Sequence, residues 1–207
     1  MKFVVAIDGP AAAGKGTIAK AVANHFGFPH LDSGLLYRAV AAKTLRGSAP
    51  EQAAATLHIE DLNALNLRSS EIAQMASKVA AISKVRSELF DFQRNFAGKD
   101  SGAVIDGRDI GTVIFPDAAV KLYITASPEA RAKRRFEELA NGNKSVTLEA
   151  VFKDVKERDE RDATRHASPL KAASDAITID TTELTIEAAV KTAIKLVEIA
   201  LERTKHP

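Results

Sequence analysis

The chain has 207 residues, 45% of them hydrophobic and 27% charged, with a net charge of +2 and neither cysteine nor tryptophan. That length and balance suit a globular protein with one sizeable core. Without cysteine there are no disulfides or thiolate metal sites; the small net charge gives no field that gathers nucleic acid, and no apolar run reaches membrane-spanning length.

The first expected element is a strand, Lys2–Ile7, which follows Met1 directly, so no signal peptide is expected. Behind it stand Gly9-Pro10-Ala11-Ala12-Ala13-Gly14-Lys15-Gly16-Thr17 and a helix-like stretch, Ile18–Ala23. Strand, glycine loop and helix are the setting of a phosphate-binding P-loop. Gly9 and Gly14 let the backbone turn so that its N–H groups point at phosphate oxygens. The helix beginning near Lys15 adds its positive end, and Lys15 supplies charge for the terminal phosphates. A Gly/Ala-rich turn with a solvated lysine is the bland alternative; spacing, lysine and flanks together speak against it. Gly16 stands where a P-loop usually has its hydroxyl, which comes one position later as Thr17. Thr17 is therefore expected to touch phosphate. A metal is left to the phosphates, water and a nearby carboxylate, Asp32 or Asp106 through water.

A short second strand, Pro29–Leu31, leads into Asp32-Ser33-Gly34, and Leu35-Leu36-Tyr37-Arg38 opens a helix. In open α/β sheets ligands sit beyond the carboxyl ends of the strands. Ser33 or Gly34 at a helix start can donate N–H to an anion, and Arg38 can fork a phosphate. The plain alternative is a helix cap with a surface arginine. From Ser48 to about Ser77 the chain is rich in Ala, Asn and Ser with weak periodicity, as an insert would be.

The third strand, Ala103–Ile105, ends in Asp106-Gly107-Arg108-Asp109. An apolar strand ending in Asp106 is Walker B-like; Arg108 beside Asp109 suits recognition of a polar ligand. A fourth strand, Val120–Ile124, precedes a charged helical region, Pro128–Arg165, broken at Asn141–Ser145. Within it Arg131, Arg134 and Arg135 form a stripe, either solvated or leaning over a nucleotide from a lid. Arg158, Asp162 and Arg165 are spaced i, i+4 and i+7 and are expected on one helix face, where two arginines would clamp phosphoryl groups and Asp162 would hold them or touch a ribose. A solvated face is the alternative. A fifth strand, Ala176–Ile179, and a last helix with Ile186, Ala189, Val190, Ala193, Ile194, Val197 and Leu201 on one face complete the chain; Thr204–Pro207 is expected to fray. The five histidines have no ligand spacing. Near-continuous apolar strands separated by helices predict a doubly wound, five-stranded parallel α/β sheet.

The Gly-Lys-Gly-Thr ending of the P-loop resembles that of nucleoside monophosphate kinases. Together with Leu31-Asp32-Ser33-Gly34, Asp106-Gly107-Arg108-Asp109-Ile110-Gly111-Thr112 and the run from Lys156 to Arg165, it gives a chain-long resemblance to bacterial cytidylate kinases. The resemblance implies a P-loop NTPase-type fold with a lid and a short monophosphate-binding insert. It implies a core at about 1–47, 78–130 and 166–207, an insert at about 48–77 and a lid at about 131–165 whose tip is the Asn141–Ser145 break. It further implies transfer of the γ-phosphoryl group of ATP to CMP or dCMP, with Mg²⁺, by a cytoplasmic monomer that binds neither nucleic acid nor membrane. The residues from Gly9 to Thr17 would hold ATP. Ser33, Arg38, Arg158 and Arg165 would lie around the acceptor's phosphate and sugar, Asp162 would meet the ribose, and Ser77, Arg86 and Asp109 would read the base. The segment between Asp32 and Ser77 is shorter than in long family members, so a reduced cover over the acceptor is expected. A kinase for another small acceptor and a P-loop switch module are the rival readings; the latter would lack an acceptor site.

Overall fold

The computed structural model describes residues 3–98, 102–140 and 146–205. Lys2, the expected lid tip at Asn141–Ser145 and the end of the tail lie outside the described residues. The five strands are β1 (Phe3–Asp8), β2 (His30–Asp32), β3 (Gly102–Gly107), β4 (Val120–Thr125) and β5 (Ile177–Asp180). They form one parallel sheet in the order β2-β3-β1-β4-β5. The helices are α1 (Lys15–Phe26), α2 (Ser33–Leu45), α3 (Pro50–Ala55), α4 (Ser70–Val79), α5 (Ser83–Phe96), α6 (Pro128–Ala140), α7 (Leu148–Thr164) and α8 (Ile186–Lys205).

The sheet is covered on both faces, which is why its central strands are continuous apolar runs. β1 and β3 are buried at every position. On one face Val4, Ala6 and Ile105 pack with Leu36, Val40, Val79, Val85 and Leu89 from α2, α4 and α5. On the other, Val5, Ile7, Val104 and Leu122 pack with Ile18 and Val22 of α1 and Ala189, Ala193 and Val197 of α8. A third, small apolar cluster joins α6 to α7 through Ala132, Val151 and Val155, with Phe136 and Leu139 against it. This hairpin thus has its own core. The expected insert holds α3, a 3-10 turn at Ile59–Asn63 and α4, with no strand among its described residues.

Two expectations need correction. β5 is largely exposed, only Ile179 being buried, because it is one of the sheet's two edge strands. Ile186, assigned to the buried face of the last helix, is 62% exposed, as the first residue of α8.

The order of strands puts β1 at the centre and brings the ends of β1, β2 and β3 side by side. Gly9, the next residue after β1, has φ +145, and a Cβ there would collide with the Ile124 carbonyl of β4. Glycine is required twice over, by conformation and by space. Gly9→Ala is expected to lower unfolding free energy by about 2 kcal/mol or more. Urea denaturation checks this; an unchanged midpoint would mean that β1 and β4 separate easily at this end.

Candidate active site

Gly14 caps α1 in the left-handed conformation, φ 89, and Ala12 also has a positive φ of 59. These turns curl the P-loop around the helix start. The Lys15 ammonium crosses the loop and donates to the Pro10 carbonyl at 3.1 Å. Ala11, Ala12, Gly14, Lys15, Gly16 and Thr17 line a cleft of about 420 Å³, shared with Asp32, Arg38, Asp106, Arg108 and Arg158. Gly9 and Pro10 are in neither this wall nor that of the neighbouring apolar cleft, and the Ala13 carbonyl is taken by the Thr181 hydroxyl at 3.0 Å. The nine-residue loop thus divides into a lining part and a structural part.

Asp32 caps α2 at the end of β2, and its carboxylate accepts from Arg68 at 3.2 Å. Asp106, at the end of β3, accepts from His30 Nε2 at 2.8 Å. The Ser33 hydroxyl donates to the Asp106 carbonyl at 2.8 Å. That bond needs Gly107, since a Cβ there would stand 2.5 Å from the Ser33 oxygen. Arg38 donates to the Leu67 carbonyl at 2.8 Å, so the insert loop holds its guanidinium at the cleft.

Next to this cleft is a smaller pocket of about 40 Å³, room for a few water molecules rather than a nucleoside. Ser33, Ser77, Arg86, Arg108, Asp109, Arg158, Asp162 and Arg165 all line it. Arg86 and Asp109 are ion-paired and both buried. Arg86 also donates to the Ala80 carbonyl and the Ser168 hydroxyl, and its guanidinium lies 5.5 Å from the centre of the Tyr37 ring. Asp162 accepts from Ser77 at 3.0 Å and from Arg108 at 3.2 Å, with Arg158 3.9 Å away. Burial pushes Asp162 up, but Arg108, Arg158, Arg165 and the Ser77 hydroxyl outweigh it and hold the carboxyl below its usual value. Burial, then the Arg108 charge, hold Arg158 down at about 9. Buried Nε of Arg158 and Nη2 of Arg165 have no hydrogen-bond partner. Such donors, aimed into a pocket, ask for an anion or a polar ligand.

Every site residue expected from the sequence is therefore at the carboxyl edge of the sheet. Arg165 gets there by another route than expected: α7 ends at Thr164, and Arg165 is an extended cap residue, φ −60 and ψ 138, not a member of the helix face. The stripe of Arg131, Arg134 and Arg135 divides: Arg135 lines the phosphate cleft and Arg134 the neighbouring apolar one, while Arg131 lines neither. Arg131 is buried and paired with Asp159 at 2.5 Å, Arg134 donates to Thr181, and Arg135 bonds Glu138 and the Arg68 carbonyl. Asp8, His30, Arg68, Asp159 and Thr181 carry contacts that sequence reasoning did not assign. Asp8 had a signal, a carboxylate closing an apolar strand just before the glycine loop; the pairing of His30 had none.

A family model described as cytidylate kinase matches residues 5–62 and 51–199. The chain belongs to the cytidylate kinase family. A cytidylate kinase of Cereibacter sphaeroides is 57% identical over 199 residues, spanning 96% of this chain and 97% of its own. One of Methylocella silvestris is 51% identical over 214 residues, 99% of each chain. Among solved structures, a sugar kinase from Janibacter sp. HTCC2649 has a TM-score of 0.54 at 17% identity, covering 97% of this chain and 96% of its own, which speaks for the fold alone. As a member of the cytidylate kinase family the chain is an enzyme, a phosphotransferase, and its family implies ATP as the phosphate donor. No helix among the described residues is long and apolar enough to cross a membrane.

Two predictions follow from the charges. Asp162→Asn leaves Arg108, Arg158 and Arg165 without their shared anion; about 3 kcal/mol of stability should be lost in denaturant, with sulfate restoring part of it. A loss under about 1 kcal/mol would mean that water already screens the cluster. Burial, then the Arg108 charge, lower Lys15 to about 7 in the free protein. Bound phosphate raises it again, so binding below pH 7 owes no pH dependence to Lys15, whereas above pH 7 binding takes up a proton. ATP affinity should then fall by up to about tenfold per pH unit. Calorimetry at about pH 8.5 in buffers of different ionisation enthalpy measures that uptake; its absence would show Lys15 already charged.

Proposed function

We propose that this enzyme transfers the γ-phosphoryl group of ATP to CMP or dCMP, giving ADP and CDP or dCDP, as part of pyrimidine nucleotide metabolism. One observation carries the reading: Arg108 and Arg158 line both the P-loop cleft and the smaller pocket. An acceptor's phosphate held from the pocket side and the donor's terminal phosphate held from the loop side meet at these two cations. An acceptor phosphate oxygen then attacks the γ-phosphorus in line, and the bond to the bridging oxygen of ADP breaks. No covalent enzyme intermediate is needed; positioning and charge neutralisation carry the step.

The lining of each pocket suits its part. Gly14 to Thr17 and Lys15 cradle the donor phosphates. An apolar cleft of about 390 Å³ lined by Ala12, Thr17, Ile18, Arg134, Leu184 and Ile186 suits a purine base. Ser33, Arg38, Arg158 and Arg165 serve the acceptor phosphate and sugar, with Asp162 toward the ribose and Ser77 beside Arg86 and Asp109 at the base. Cytosine presents an N4 donor beside acceptors at N3 and O2, which matches an Asp109 acceptor beside an Arg86 donor. Uracil presents an oxygen where Asp109 needs a donor, and an unpaired buried polar group discriminates strongly.

Mg²⁺ belongs to the reading. Asp32 and Asp106 both face the phosphate cleft, each with one oxygen already taken by a neighbour. Among the described residues no group of three or more His, Cys, Asp or Glu could hold a metal. Two carboxylates fit an ion that stays largely hydrated and phosphate-bound. Asp32 and Asp106 would hold such an ion through water, and it would supply charge neutralisation for the phosphates. The small size of the acceptor pocket supports opening and closing, with α6–α7 as the lid over a core and with the insert at about 48–77. Water is excluded when the lid is shut. The enzyme acts as a cytoplasmic monomer, with no nucleic acid or membrane partner.

An ADP-release assay with ATP, Mg²⁺ and CMP, dCMP, UMP, AMP, GMP or shikimate tests the reading. Fast turnover is expected with CMP and dCMP and slow turnover with UMP; another preferred acceptor would replace the reading. Asp109→Ala should lower the CMP-over-UMP preference about a hundredfold, with ATP binding little changed. Unaltered selectivity would remove Asp109 from base recognition.

A further inference from the structure

We propose that Asp8 is a positioning residue that sets the acceptor-base preference from outside the base pocket, its carboxylate fixing the turn that carries Asp109. The inference rests on the acceptor reading above. Asp8 lines neither the phosphate cleft nor the base pocket. It ends β1 between Gly107 of β3 and Tyr123 of β4, so its backbone is fixed by both neighbouring strands. Its side chain is buried, and each oxygen takes one backbone amide: Oδ1 accepts from Ile110 at 2.8 Å and Oδ2 from Gly111 at 2.7 Å.

Those amides open the π-type turn Ile110–Ile114, which Asp109 caps. From the other side the Asp109 carbonyl accepts from Val113 at 2.9 Å and Ile114 at 3.2 Å. The backbone next to the Asp109 side chain is thus gripped from both sides, by its own turn and by Asp8. Gly111 keeps the grip close: a Cβ there would lie 3.4 Å from the Asp8 oxygen and 3.2 Å from the Lys121 methylenes. Since Gly9 follows directly, Asp8 joins the first residue of the donor loop to the turn that presents the base-reading carboxylate. A shift of that turn moves Asp109 against Arg86, and an error of well under an ångström weakens a buried hydrogen-bond pair.

Only an ionised carboxylate offers two good acceptors to two amides. Burial is the largest influence on Asp8; it and the nearby Asp109 charge raise the carboxyl to about 6, against the two amide bonds and the Lys15 charge. The other titratable groups that face it are Tyr123, which burial and the Asp8 charge hold above its ordinary value, and Lys121 beyond Gly111. As pH falls through about 6, Asp8 gains a proton and one amide loses its acceptor.

The test is Asp8→Asn in the whole enzyme, measuring kcat/KM for CMP and for UMP together with KM for ATP. The asparagine amide group faces one N–H with another, so one bond is lost at constant shape. The CMP-to-UMP ratio should fall by about tenfold or more, through KM for CMP, with KM for ATP within about threefold. In the wild type the same ratio should fall as pH is lowered through 6, and in Asp8→Asn it should be flat. Phosphate ionisation is common to CMP and UMP and cancels in the ratio. An unchanged ratio in Asp8→Asn overturns the inference whatever happens to kcat or stability. Should that variant fail to fold, a wild-type ratio flat through pH 6 overturns it equally. A wild type with no preference for CMP overturns the acceptor reading itself, a result visible before any variant is made.

Discussion

Lys15, Arg38, Arg108 and Arg158 face one cleft beyond the carboxyl ends of three parallel strands, and they repel one another. The free protein tolerates this because carboxylates are set among them, with Asp162 taking Arg108 and standing near Arg158, and Asp32 and Asp106 near Lys15. The balance is incomplete. Lys15, Arg38 and Arg158 are all held below their ordinary values, burial being the first cause in each. A site in that condition gains by receiving phosphates, which is how a transfer reaction without covalent catalysis obtains its stabilisation.

The sheet makes that concentration of charge possible. A parallel arrangement directs the carboxyl ends of β1, β2 and β3 to the same edge, and the order β2-β3-β1 brings the P-loop, the Asp32-Ser33 turn and the Asp106-Gly107-Arg108-Asp109 loop into contact. Two glycines let the chain close up: Gly9 against the Ile124 backbone and Gly107 against the Ser33 side chain. Helix starts then add their own partial charge, α1 at the P-loop and α2 at Asp32.

The α6–α7 hairpin contributes from the other side. Its small apolar core makes it a unit, while Arg131 reaches the Ala126 carbonyl at 2.9 Å and pairs with Asp159. Arg158 and Asp162 reach the site from α7, and α4 meets that helix there: Ser77 bonds Asp162, and Gln74 accepts from Arg161 at 3.1 Å. The short insert therefore touches the hairpin over the acceptor pocket, and the pocket between them is small in this arrangement.

The strands, the P-loop and the polar loop after β3 were legible in the sequence because their causes are local. Continuous apolar runs mark buried parallel strands, glycines mark turns, and a lysine at fixed spacing marks phosphate. What the sequence did not contain was partnership. Nothing in the spacing of Arg131, Arg134 and Arg135 tells that one is buried on Asp159, another fixed to Thr181 and the third turned to the insert loop. Helical periodicity extended to Arg165, yet the helix stops one residue earlier and an extended cap brings that guanidinium in. The pairs His30–Asp106 and Asp8 with the amides of 110 and 111 join segments 76 and 102 or 103 residues apart. Local pattern encodes which elements form and which chemistry they carry. Only the packing of the sheet decides which charges neutralise one another, because that depends on distances between strands far apart in the chain.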